Sequence, residues 1–66
     1  MLKALIKTKS NFRNLNGTWL TVIEIKGTRV TCEVFDNELD KFISVDFTSK
    51  EVKEYNYESN TVYLKN

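Results

Sequence analysis

Between Arg29 and Phe35 the chain alternates without a break: Val30, Cys32 and Val34 point one way, Arg29, Thr31 and Glu33 the other. A period of two belongs to a strand with one face in a core and one in water; a helix turning every 3.6 residues would scatter these side chains around its surface. Similar short runs of β-branched and aromatic residues recur along the chain, separated by clusters of Asn, Gly, Asp and Ser, and proline is absent. The pattern predicts an all-β protein.

Residues 2–9 are expected to form the first strand, with Leu2, Ala4 and Ile6 on one face and Lys3, Lys7 and Lys9 on the other; Leu5 joins the lysine face. A loop over 10–17 follows, anchored by Phe12 and Leu15. The next strand, residues 18–26, is apolar on both faces, with Trp19, Ile23 and Ile25 against Leu20 and Val22. A bent central strand shared by two sheets would carry that pattern. A two-residue loop at Lys26-Gly27 would set Ile25 opposite Thr28, Glu24 opposite Arg29 and Ile23 opposite Val30, pairing apolar with apolar and opposite charges on the outer face. A loop at Gly27-Thr28 would set Lys26 against Arg29, and a three-residue loop would exchange the faces. The Lys26-Gly27 register is the expectation. It places Cys32 in the core and Trp19 over one end of it.

After the polar stretch "DNELD" comes a strand over 41–47, with Ile43, Val45 and Phe47 inward and Phe42 outward. Thr48 and Glu51 then have the spacing of a capping box, and Phe47 and Val52 that of a hydrophobic staple, which predicts one 3₁₀ turn over 48–51. A strand at about 52–57 is expected next, with a two-turn helix over 48–57 as its rival. "ESN" reads as a turn, and 61–65 as a short terminal strand.

Four strands, a helical turn at "DFTSKEVKEY" and a closing strand resemble, over residues 2–57, the SH3-like small barrels, in which a 3₁₀ turn introduces the last strand. The resemblance implies an antiparallel barrel of five strands, six if 61–65 is counted. The peptide-binding SH3 family's "ALYDY"-type opening and acidic loop are missing, so its proline-recognition residues are not carried over. Barrels of this kind bind peptides or nucleic acids or mediate oligomerisation, and the fold does not choose among these roles.

Composition excludes more than it selects. Sixty-six residues are expected to form one domain, with a thin core. No apolar run approaches the roughly 18–20 residues that span a bilayer, and the basic start lacks a signal-peptide core; no membrane association and a cytoplasmic location are expected. Histidine is absent and Cys32 is the only cysteine, so there is no intramolecular disulfide and no thiolate cluster, and the commonest general base and metal ligand are missing. Asp36, Glu38 and Asp40 have the spacing that opens a calcium loop, but Lys41 and Phe47 stand where that loop needs Gly and Glu. Glu24, Glu33, Asp46 and Glu54 alternate outward, with nothing to desolvate them as a catalytic pair. Ser44 and Ser49 have no histidine to activate them. Asn16-Gly17-Thr18 matches a glycosylation acceptor, read here as a turn. The chain is expected to be non-catalytic, with no metal or cofactor.

Two features point to binding. Phe42, Tyr55, Tyr57 and Tyr63 are too many rings for so small a core, and exposed aromatics dominate protein interfaces. They are the expected contact residues for a protein partner or, as a homodimer, a second copy that would add core. A compact inhibitor from a phage or mobile element would have this size, though no residue argues for it. The alternative uses Lys3, Lys7, Lys9 and Arg13, which precede all nine acids. With Phe12 or Trp19 beside them, they would hold single-stranded nucleic acid by charge and stacking.

Overall fold

The computed structural model describes residues 1–7 and 14–57. Five strands, β1 (Leu2–Ile6), β2 (Thr18–Lys26), β3 (Arg29–Asp36), β4 (Lys41–Thr48) and β5 (Val52–Tyr57), form one antiparallel sheet in the order β4-β3-β2-β1-β5, with a 3₁₀ turn at Ser49–Glu51. The expected sixth strand and Phe12 lie outside the described residues. Among the described residues no helix is long and apolar enough to cross a membrane.

The core lies on one face of the sheet. It gathers Ala4 and Ile6 from β1, Leu20 from β2, Val30, Cys32 and Val34 from β3 and Phe47 from β4, closed by Leu15 and Val52. The alternation in β3 is realised as read, as is the inward row of β4, where Ile43 and Val45 are partly buried and pack against the cluster. Burial also sets the chemistry of Cys32, whose thiol is pushed up to about 11 by desolvation.

The 3₁₀ turn forms where the capping box predicted it, and the helical rival is not formed. The Glu51 carboxylate accepts the Thr48 backbone N–H at 2.8 Å and the Thr48 hydroxyl at 3.3 Å. Phe47 and Val52, on either side of the turn, are both buried. β1 ends earlier than expected, at Ile6, where the ladder to β5 shifts register; Lys7 then donates its backbone N–H to the Glu51 carbonyl at 3.0 Å.

Two expectations are corrected. The described strands do not close into a barrel: β4 pairs with β3 and β5 with β1, leaving both as sheet edges. After Val52 every residue of β5 is exposed, Tyr55 and Tyr57 of its core-face row included, and β5 does not pair with β4.

The second correction is the β2–β3 register, which runs Lys26↔Arg29, Ile25↔Val30, Glu24↔Thr31 and Val22↔Cys32, with a bulge at Ile23. The loop is therefore Gly27-Thr28, with Gly27 at φ +63° and Thr28 outside the positive-φ region. A two-residue hairpin turn needs positive φ at its first loop position, which Gly takes without the steric penalty that Lys26 would meet there. The facing Lys26 and Arg29 are compensated on the diagonal, where Glu24 Oε1 accepts from Arg29 Nη2 at 3.3 Å. Both groups are largely exposed, so the pair orients more than it stabilises.

Two outcomes check this arrangement. Gly27→Ala meets no atom within 4 Å, so its effect is backbone strain alone, a loss of about 1–2 kcal/mol in urea denaturation. Because the Cys32 thiol rises from 9.0 to about 11 on folding, the unfolded chain loses its proton first as pH rises. Stability should fall between pH 9 and 11 more steeply in the wild type than in Cys32→Ala, and equal slopes would refute burial of the thiol.

Candidate functional site

The Ile23 bulge decides which side chains of β2 face water. An unbulged continuation from Ile25↔Val30 would put Ile23 level with Cys32 and Thr21 level with Val34. The extra residue instead sets Val22 against Cys32; Leu20 is buried, and Trp19, opposite Leu5 of β1, is turned out. Trp19 thus does not cover the core end as expected. The bulge removes Thr21 from the core and takes Ile23 away from Cys32; Ile23, like Ile25 near the turn, is half exposed.

β2 also changes neighbours at this point. Residues 18–21 pair with β1, whereas β3 is paired only from Val22 onward. Beyond the Val22–Cys32 pair the two strands fork, and the fork opens a depression of about 390 Å³. Leu15, Leu20 and Val34, all core residues, line it from within, and Trp19, Phe35 and Phe42 line it from the outer face. These rings are 42 %, 38 % and 61 % exposed. Phe35 and Phe42 face each other across β3–β4 and pack edge to face, with centroids 5.2 Å apart and planes at 79°. Lys3 and Glu33 put one charge of each sign on the rim. An apolar hollow reaching toward the core, walled by rings and edged by a few polar groups, is how a protein surface accepts an inserted side chain.

The expected contact residues are not brought together. Phe42 lies on β4 with its partner Phe35 on the outer face, whereas Tyr55 and Tyr57 lie on the opposite edge strand, across from Ala4 and Leu2 of the core face. Both tyrosines are exposed at the sheet margin, Tyr57 at 72 %. Tyr63 lies outside the described residues. Of the basic group, Lys3 lines the hollow and Lys7 follows the end of β1; Lys9 and Arg13 lie outside the described residues. Phe35 was not among the expected contact residues, and Trp19 was expected only as a stacking ring beside the basic group or as a cover for one end of the core. Phe35 could have been found by extending the outward row of Arg29, Thr31 and Glu33 by one step.

The acidic loop is a turn. Asp36 Oδ1 accepts the backbone N–H of Glu38 at 2.9 Å and of Leu39 at 3.3 Å, and Asp40 takes φ +54° to close it. Among the described residues no cluster of three metal-ligating side chains occurs. No protein-family model, curated protein or solved structure matches the chain.

The exposure of Trp19 is directly measurable. Acrylamide should quench its fluorescence in the folded protein nearly as well as in denaturant; strong protection would return the ring to the core and restore the unbulged register.

Proposed function

We propose that this chain is a non-catalytic interaction module that binds a partner protein by taking one of its apolar side chains into the hollow between β2 and β3. The observation that carries the reading is the convergence of Trp19, Phe35 and Phe42 on one depression. In a chain this small, three half-exposed rings on one site are poorly explained by packing alone. Burying them against a partner supplies the desolvated centre of an interface, and Lys3 and Glu33 on the rim set orientation. The order of four strands, a 3₁₀ turn and a last strand supports a relationship to the SH3-like small barrels, here as an open sheet. Its small size also suits a compact inhibitor, and a cytoplasmic setting suits its free thiol.

Selection from a random peptide display library tests the reading and lets the protein choose its own ligand. Peptides enriched on the wild-type protein should carry a recurrent aromatic or large aliphatic residue. Their affinity should fall about tenfold or more on Phe42→Ser and on Trp19→Ser, with little change on Tyr57→Ser. Affinity should change little between low and moderate salt. Binding indifferent to both ring substitutions would overturn the proposal. A steeply salt-dependent response of Lys3 and Lys7 amides to a random single-stranded oligonucleotide would favour the nucleic-acid alternative instead.

A further inference from the structure

The two edges of the sheet are built differently. β5 carries an extra residue where it pairs with β1 and exposes Lys53 and Glu54, so it is bulged and charged. Natural edge strands are protected from pairing by these devices. β4 has neither. Its eight residues pair with β3 in one unbroken register, from Lys41↔Asp36 to Thr48↔Arg29. Between Lys41 and Asp46 it carries no charge, the chain has no proline, and among the described residues no strand lies on its other side. A long, regular edge with an uncharged centre presents unpaired backbone groups as a template for another strand.

We infer that the free edge of β4 pairs antiparallel with β4 of a second copy of this chain. The strand is self-complementary in one register. For a two-fold axis normal to the sheet, core-face residues meet core-face residues, so the axis passes through a residue rather than between two. Centred on Val45, the pairing sets Val45 against Val45 and Ile43 against Phe47 on the core face. On the outer face it sets Ser44 against Asp46 and Phe42 against Thr48. Every core-face pair is apolar and no like charges meet. The neighbouring register, centred on Ser44, would put Lys41 opposite Phe47 and Asp46 opposite Phe42. The favoured register also covers Ile43 and Val45, the two core-face residues of β4 that one copy leaves partly exposed. A continuous ten-stranded sheet would give a thin core a second half. The inference is independent of the hollow, since it rests on the backbone edge and core-face row of β4.

Sedimentation equilibrium of the full chain across the micromolar-to-millimolar range tests it. The wild type should pass from monomer to dimer as concentration rises. Ser44 is exposed, so charge changes there report on its neighbour across the axis. Ser44→Asp should weaken association about fivefold by facing Asp46 of the second copy, and Ser44→Lys should tighten it by a similar factor. Urea denaturation of each variant separates these shifts from changes in monomer stability. A monomer at every concentration would overturn the inference, as would a dimer indifferent to both substitutions or one abolished by Trp19→Ser alone. Slow amide exchange along the outward edge of β4 at concentrations where the chain is monomeric would also overturn it, because the edge would then be covered by the chain itself.

Discussion

One inserted residue, Ile23, organises both faces of this sheet. Gly27 takes the loop position that needs positive φ, and that choice sets Ile25 opposite Val30. Without the bulge the same choice would carry Thr21 into the core and turn Leu20 and Val22 out. The extra residue exchanges the faces midway along β2, so Leu20 and Val22 turn toward the core while Ile25 stays opposite Val30. A bulge also strengthens local twist, and here it lies where β2 leaves β3 for β1. The fork, its hollow and the outward ring of Trp19 all follow from that change of partner.

The bulge has a local energetic cost, visible in the half-exposed Ile23, which an unbulged strand would set opposite Cys32. In return the core receives Leu20 and Val22 beside Val34 and Cys32. Apolar burial is worth about 25 cal/mol per Å², so exchanging a buried threonine for a buried leucine offsets the exposure of Ile23. The outer face gains Trp19 beside a pair of phenylalanines already in contact. The same rearrangement therefore serves the packing of the core and assembles the candidate site.

Much of the fold was legible from local pattern. The alternation of Val30, Cys32 and Val34, the inward row of β4, the capping box of Thr48 and Glu51 and the strand at Val52–Tyr57 all depend on residues close in sequence. Their physics is local and does not depend on which strands lie alongside. The β2–β3 register is different, because two local signals disagree. The charge pair Glu24–Arg29 favours one loop and the backbone need of Gly27 favours the other. The structure satisfies both, with glycine in the turn and the ion pair on the diagonal. Barrel closure fails for another reason: it depends on whether two distant edges attract, and the alternation of Tyr55 and Tyr57 within β5 says nothing of that.

The candidate site was only partly legible, for the same reason. Phe42 is found by its outward parity, and Phe35 is accessible to the same argument. Trp19 is hidden, because its face depends on a bulge four residues away. Grouping Phe42 with the tyrosines rests on residue type, whereas the sheet order places them on opposite edges. Residue type identifies side chains that can bind; register decides which of them share a surface.

The Ile23 bulge is tested most directly by the β2–β3 register, read from cross-strand nuclear Overhauser effects in labelled protein. Val22 should face Cys32 and Ile25 should face Val30, with an interruption at Ile23. Contacts placing Ile23 opposite Val30 and Glu24 opposite Arg29 would contradict it, returning Trp19 to the core face and removing the hollow with it.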